Sequence, residues 1–531
     1  MRQRRPPSCP DARPPNAARL ASAFAAAALA AVASSATVIA ATAPAANAQA
    51  APVAPAGPAS RPAPVSASAA ATPAAAPAGP TSAERFGRLR DAHAAQRWLE
   101  VLEESIPVAT ALARDGKAES VEMSEVLLMR GDALRVAGDA AAAHASYRAS
   151  LDAAERAAGP QGTALLLPLE RLADAARAAG LREEEVELVA RSLAILRRRD
   201  GLRTAGTDEL QGRLIDGLAA LGRFDAAERE ALTQLRAAES RYGTDSPALL
   251  PALDAVATLY SSFAAGAQAR PHLERMVRLL ETGGSPDDPR LLKPLLGLSR
   301  SHALEYRFGI VDPRTMSVHA DRTADVRRPV ENAFAPPLCV TDPRTGLPVC
   351  QQVPTPFTRP NLPPRLSTDG EAPLLRALRI AEAQPSVTPF QRGVVHVEAG
   401  DWFLLRGEAA RAHEHYRKAW TLLADPAGRP TGFENPLRAP RQLLYRRPAS
   451  TQDFAHLPAG KFTVQSVVTE FTVRPDGRVG DVRTVEENTN LRRLEDARAA
   501  VRGAVFAPRL ENGEPVATEG VRIVENFPVP R

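Results

Sequence analysis

Gly400-Asp-Trp-Phe403-Leu-Leu-Arg-Gly407-Glu-Ala-Ala-Arg-Ala412-His-Glu-His-Tyr416-Arg-Lys-Ala419 sets the reading of the larger part of this 531-residue chain. Apolar residues recur at three- and four-residue steps on either side of Gly407, the pattern of two helices separated by a glycine turn. Gly400 and Ala412 are small where two antiparallel helices approach most closely. The same marks return upstream at a fixed interval. Gly138, Gly180 and Gly222 are 42 residues apart, and Ala264 holds the next place. Five residues beyond each stand Ala143, Glu185, Ala227 and Ala269. Around Gly222 the two apolar stripes are Leu214, Ile215, Leu218 and Leu221, then Phe224, Ala227, Ala231 and Leu235. A helix pair of this kind cannot bury its stripe alone, so neighbours stack into a solenoid with a concave face.

Gly131, Leu134, Gly138, Ala143, Tyr147 and Leu151 fill the small, large, glycine, small, aromatic and apolar places of a tetratricopeptide repeat (TPR), which this region resembles. Gly400, Phe403, Gly407, Ala412, Tyr416 and Ala419, with Pro426 beyond, form a clearer copy. The interval exceeds the common ~34 residues and is similar to the long-helix variant of kinesin light chains. Tyr242-Gly-Thr-Asp-Ser-Pro-Ala-Leu-Leu, leading into Leu253, Val256 and Tyr260, shares that likeness. Glu185 in a small-residue place and Arg130 in an apolar one depart from the pattern, so some copies are expected to be irregular. The array is expected over 83–305 and 371–426, where a helix at Ala372–Glu382 leads into the copy at 391–425. Residues 306–370 are Pro-rich without helical period and read as an irregular insert; 427–457 read as a Pro- and Arg-rich linker.

The period changes over 458–531. Thr469, Phe471 and Val473 alternate with Val468, Glu470, Thr472 and Arg474, as in a half-buried strand. Pro475-Asp476-Gly477 signals a hairpin turn, and Arg478 to Val485 supply a second strand. Leu491, Leu494, Ala497, Val501 and Ala504 make a helix stripe, and Val521, Ile523 and Phe527 alternate again. The order β-β-α-β, with Phe471-Thr-Val-Arg-Pro-Asp-Gly477, Val505-Phe506-Ala-Pro508, Asn512-Gly513-Glu-Pro-Val516 and Val521-Arg-Ile-Val-Glu-Asn-Phe527, resembles the TonB C-terminal domain. That resemblance implies capture of a receptor segment at a sheet edge, through free backbone N–H and C=O groups. By analogy Val521, Arg522, Ile523, Val524, Glu525, Asn526 and Phe527 would be the receiving strand.

The start of the chain has the marks of a secretory signal over 1–48. Arg2, Arg4, Arg5, Arg13 and Arg19 precede an uncharged, alanine-rich run from Leu20 to Ala43, then Ala46-Asn47-Ala48. Residues 49–82 are an Ala/Pro-rich linker with too little apolar surface to fold. The net charge of +5 belongs mostly to the leader: it holds five of 66 basic and one of 61 acidic residues, which leaves 61 and 60, or +1. Such a balance gives no electrostatic reason to expect nucleic acid. With Cys9 in the leader, Cys339 and Cys350 form the only mature pair. In an oxidising compartment they are expected to form a disulfide that staples a hairpin-like loop, with Asp342-Pro343 and Gly346 as its turn residues, worth about 3 kcal/mol in the chain-entropy model. A redox-active pair is the rival reading, although the spacing is not C-x-x-C.

No catalytic constellation is present: no Walker loop, no G-x-G-x-x-G after a strand, no H-E-x-x-H, no G-x-S-x-G. His413 and His415, two apart on a helix, point to different faces and read as solvated. Trp402 and Trp420 read as packing residues of one repeat; Arg492, Arg493, Arg498 and Arg502 read as a mixed-charge solvent face. The sequence thus predicts a multidomain protein, an all-α TPR-type solenoid followed by a small α+β domain. It is expected to be no enzyme, with no cofactor or metal. The expected role is a periplasmic adaptor that binds proteins, outer-membrane receptors or other envelope proteins among them, and associates with a membrane only if the leader is retained. The alternative is an inner-membrane-anchored energy transducer of the TonB type. Against it, Leu20–Ala43 contains no His or acid, and the linker is too short for a rod across the periplasm.

Overall fold

The computed structural model describes residues 80–201, 205–309, 339–341, 348–350, 365–426, 428–448 and 462–530. The leader and most of the linker expected at 49–82 lie outside them. Among the described residues no helix is long and apolar enough to cross a membrane.

Fourteen helices precede the terminal sheet among the described residues. They are α1 (Ser82–Ala94), α2 (Trp98–Arg114), α3 (Val121–Val136), α4 (Ala140–Ala158), α5 (Leu166–Ala178), α6 (Arg182–Asp200) and α7 (Ala205–Ala220). Then come α8 (Phe224–Tyr242), α9 (Leu250–Ser262), α10 (Gly266–Gly283), α11 (Leu292–Phe308), α12 (Glu371–Ala383), α13 (Pro389–Leu405) and α14 (Ala409–Ala424). Neighbours in sequence pack on one another throughout, α11 on α12 across the insert included. Local chemistry sets the ends. Asp139 accepts the Ala142 N–H to start α4, and Thr388 with Gln391 forms a capping box over Pro389 at the start of α13.

The 42-residue marks have one backbone cause. Gly138, Gly180 and Gly222 all turn with positive φ, and so does Ala264, at 58°. Gln96, 42 residues before Gly138, does the same at 56°, so the interval reaches back to the α1–α2 turn. Non-glycine residues tolerate this conformation at some cost, and for that reason the first and last members escape a search for glycine.

Close approach explains the other small positions. A Cβ at Gly131 would lie 2.5 Å from the Tyr147 ring, and one at Gly400 would lie 2.3 Å from the Tyr416 ring. The irregular Glu185 is buried and is held by Arg177 and by Arg182, the latter at 3.0 Å. Ion pairs then join one repeat to the next at a constant interval of 39 residues: Asp132 with Arg171 at 3.4 Å, Asp174 with Arg213 at 2.9 Å and Asp254 with Lys293 at 2.5 Å.

The strands are β1 (Cys339–Thr341), β2 (Pro348–Cys350), β3 (Arg441–Leu444), β4 (Phe462–Val473), β5 (Val479–Glu487), β6 (Val505–Ala507), β7 (Arg509–Glu511), β8 (Glu514–Val516) and β9 (Thr518–Pro530). Helix α15 (Leu491–Arg502) packs on β4 and β5. The main sheet runs β1-β2-β9-β4-β5, while β3 pairs with β6 and β7 with β8. The expected β-β-α-β order is present as β4, β5, α15 and β9. Its core contains Phe471, Val473, Leu494, Ala497, Val501, Phe506, Val521, Ile523 and Phe527. Leu491, assigned to the helix stripe, is instead 78% exposed, because it opens the helix just outside the packed face.

Two stretches expected to be irregular contribute strands. The linker expected at 427–457 contains β3, all four residues of which are buried. The insert expected at 306–370 contains the last residues of α11, the β1–β2 hairpin, and the Thr368–Gly370 turn that opens α12. The β1–β2 hairpin stands where a hairpin-like loop was expected, but β2 meets β9 and β3 meets β6 from far away in sequence, so no local period betrays those pairings.

Candidate protein-interaction surfaces

β9 was expected to be a free edge; it is an internal strand. On one side it pairs antiparallel with β4 from Phe462↔Pro530 to Val473↔Thr518. On the other, Val349 pairs with Arg522 and Cys350 with Ile523, in parallel. The correction has a simple cause: β2 arrives from a segment more than 170 residues upstream. Beyond Ile523 the described residues include no strand on that side of β9. There Arg447 Nη2 donates to the Asn526 carbonyl at 3.5 Å. The Glu525 side chain is buried between Tyr445, whose hydroxyl donates at 2.8 Å, and Arg447, which donates at 2.7 Å. Burial raises the Glu525 carboxyl pKa, while Arg447 and both hydrogen bonds lower it. Val521, Ile523 and Phe527 face the core, and Asn526 is exposed.

Cys339 and Cys350 are backbone partners in the β1–β2 ladder, followed by Val340↔Val349 and Thr341↔Pro348. Directly opposed residues of an antiparallel pair have Cα atoms roughly 4.5–5.5 Å apart, inside the range of about 4.4–6.8 Å that a disulfide spans.

The opposite edge of the sheet, β5, is blunted. Asp481 takes a positive φ of 52°, the β4–β5 register shifts twice, and Asp481, Glu486 and Glu487 are exposed. Irregularity and charge on an edge are devices that discourage strand addition.

The sheet is fastened to the last repeat by residues that the motif search did not single out. Arg441 of β3, itself buried, donates from both Nη atoms to the half-buried Asp401 of α13, at 3.0 and 2.6 Å, and Tyr416 Oη donates to the same carboxylate at 2.7 Å. Burial pushes the Asp401 carboxyl pKa up, and Arg441 pulls it down. The Pro475-Asp476-Gly477 turn lies against the repeat as well. Pro475 O meets His413 Nε2 at 2.7 Å, and a Cβ at Gly477 would lie 2.6 Å from Phe506 O and 2.8 Å from the Leu404 side chain. Arg417 grips Glu514 with two nitrogens at 2.8 Å. Trp420 borders Gly513 in the Asn512-Gly513 turn, and Trp402 is buried in the helical core.

The reading of the histidines as solvated needs correction. His413 is half-buried at the domain junction. His415 is stacked on Phe403, and its Nδ1 lies 2.9 Å from Nδ1 of His396. Burial, reinforced at His396 by Lys418 and at His415 by His396 and then Lys418, lowers both pKa values to about 4. Among the described residues no group of three or more His, Cys, Asp or Glu could hold a metal ion. Arg493 and Arg498 of α15 bond Gln465, Thr484 and Glu495, as a mixed-charge face would.

These features define a class: stacked helix pairs of TPR geometry, closed at the C-terminal end by a small β-rich domain. Residues 465–527 match the family model described as Gram-negative bacterial TonB protein C-terminal, so the chain carries a TonB C-terminal domain behind a TPR-type array. No curated protein matches the chain. Among solved structures, kinesin light chain nearly identical TPR-like repeats from Podosopora anserina are 16% identical, with a TM-score of 0.32 over 38% of this chain and 94% of that one. BtubC (BKLC) from P. vanneervenii is 18% identical, with a TM-score of 0.29 over 44% and 89%. A tetratricopeptide repeat protein from Parabacteroides merdae is 14% identical, with a TM-score of 0.26 over 56% and 93%.

Proposed function

We propose that the protein is a periplasmic adaptor, in which the solenoid binds one protein and the terminal sheet captures an extended segment of another at the outer side of β9. Helical repeats and TonB C-terminal domains are both protein-interaction modules. The observation that carries the reading is the Asp401–Arg441 pair, which fastens the second module to the end of the first, so that two binding surfaces are held in one body. The solenoid also has a break in its ion-pair ladder. Ala255 stands 39 residues after Asp216, where Arg171 and Arg213 stand in the preceding copies. The Asp216 carboxyl pKa is raised, mainly because the atoms packed around it partly desolvate a group that still reaches solvent. A cationic side chain of a partner would complete the ladder there.

The test is photo-crosslinking in a Gram-negative host, with the reactive residue placed at the exposed Asp216 or at the exposed Asn526. Two different protein products support the adaptor. One product from both positions, or none, sinks it. Fractionation of the same cells decides between a soluble periplasmic protein and the anchored energy transducer: a full-length chain in the inner membrane favours the latter.

A further inference from the structure

The outer side of β9 is occupied by a segment of the same chain. We propose that the β1–β2 hairpin is an exchangeable intramolecular strand, seated on β9 at Arg522 and Ile523, which an extended, proline-free segment of a protein partner displaces. The inference rests on the strand-capture reading above and adds its regulation.

Three observations point to exchange rather than a permanent cover. First, the fit is partial: β2 has three residues and pairs with two of the thirteen in β9. A partner that also runs along Val524 to Phe527 makes more ladder hydrogen bonds than β2 does. Second, the pairing is parallel, with slanted bonds slightly less stable per residue than an antiparallel ladder. Third, the two edges of the β9-β4-β5 sheet are treated differently. The β5 edge carries the Asp481 irregularity and exposed acids along its length, whereas on β9 the Gly520 turn, with φ 69°, and Pro528 only bracket Val521–Phe527, and β2 covers that stretch in part. The bracketed stretch, left uncovered, would still offer free backbone groups to other strands. A short strand tethered in the same chain has a high effective concentration, so it excludes weak competitors and yields to a longer one. The β1–β2 backbone ladder spans three residue pairs, with Cys339 opposite Cys350 at its end.

The experiment uses the full chain and two variants. In one, residues 339–350 are replaced by a Gly/Ser segment of equal length; the other is Val349→Pro, which removes a ladder N–H with a single change. Hydrogen exchange is followed in the 518–530 peptide. Capture is followed with a fluorescent peptide of residues 345–353 carrying Cys350→Ser, which is β2 supplied in trans. Expected in both variants is exchange faster by about tenfold or more at the amides of β9 that do not face β4, with α13, α14 and β5 unchanged. Peptide binding tightens by about tenfold or more relative to the parent chain, and crosslinking from Asn526 rises with it. Unchanged exchange in both variants overturns the inference alone, since β2 then never held the edge, and strand capture at an open edge survives. Faster exchange without gain of peptide binding or crosslinking overturns the inference together with the strand-capture reading.

Discussion

Arg441 reaches Asp401 as Arg171 reaches Asp132. In the array, Arg171 Nε lies 3.4 Å from Asp132, and Tyr147 Oη donates to the same carboxylate at 2.8 Å. At the end of the array Asp401 receives Tyr416 Oη at 2.7 Å and Arg441 at 2.6 Å. The Asp-to-Tyr interval is 15 residues in both, and the Asp-to-Arg interval is 39 in one and 40 in the other. Strand β3 therefore takes the place of a following repeat and uses the socket that repeats use for each other. A terminal repeat needs a cap over its exposed stripe, and here the cap is the small β-rich domain.

Removing the arginine leaves a largely desolvated carboxylate without the cation it hydrogen-bonds. Arg441→Met is expected to destabilise the protein by about 3 kcal/mol, since Arg441 is buried and its partner Asp401 keeps only a little exposed surface. The loss should show as a separate, earlier unfolding step of the terminal sheet in a denaturant titration followed by a probe in β4. Simultaneous unfolding of sheet and array at an unchanged midpoint would mean that Arg441 does not carry the junction.

The helix–turn–helix pairs were legible in the sequence because each copy repeats one local constraint: a left-handed turn followed, five residues on, by a small or buried side chain. Glu185 broke the pattern in sequence yet keeps its place, because Arg177 and Arg182 satisfy its charge. The sheet core was legible at Val521, Ile523 and Phe527, where alternation maps directly onto burial. What could not be read was long-range pairing. β2 and β3 are three and four residues long and meet β9 and β6 from far away in sequence, so neither shows a period, and the free edge assigned to Val521–Phe527 was wrong at Arg522 and Ile523. The Asp401–Arg441 spacing was a usable signal, but it becomes visible only once Asp132–Arg171 is known to be a pair.

Glycines at the helix crossing should resist even one added carbon. The Cβ of Gly400→Ala would lie 2.3 Å from Tyr416, a ring with no exposed surface, enclosed by the same helix pair. Overpacking of this kind costs about 1–3 kcal/mol. Gly503→Ala, where the nearest atom is 3.6 Å away, serves as the control. Thermal melts that rank the two variants equally would refute the close-approach argument.

The His396–His415 pair predicts an acid-sensitive array. Both imidazoles have folded pKa values of about 4, below the ordinary 6.5 that the unfolded chain would show. The folded state therefore binds fewer protons between those values. The stability from keeping the pair neutral is present above about pH 6.5 and is lost as pH falls toward 4. Glu382 near His396, Glu414, Lys418 and Arg411 also face the pair and move the lower limit. Melting temperatures measured from pH 7.5 to 4.5 should fall less steeply for a His396→Gln, His415→Gln variant than for the parent. Parallel curves would show that the pair does not set the acid limit; His272 and His302, lowered by burial too, would then be the groups to test.

The cysteine pair gives the last prediction, and it separates a covalent staple from a merely opposed pair. The ladder places Cys339 across from Cys350, and oxidation of two thiols to a disulfide removes two protons and two electrons, which an oxidising compartment accepts. Non-reducing peptide mapping of the protein exported by a Gram-negative host should recover Cys339 and Cys350 in one linked fragment. The same fragment should separate after treatment with a dithiol. The Cys339→Ser, Cys350→Ser variant should then exchange its β9 amides faster than the parent, but more slowly than the Gly/Ser replacement, because the backbone ladder survives the loss of the bridge. Free thiols at both positions in the exported protein would remove the staple and leave the hairpin held by its ladder alone. Exchange as fast as in the Gly/Ser replacement would instead mean that the bridge, and not the ladder, seats β2 on Arg522 and Ile523.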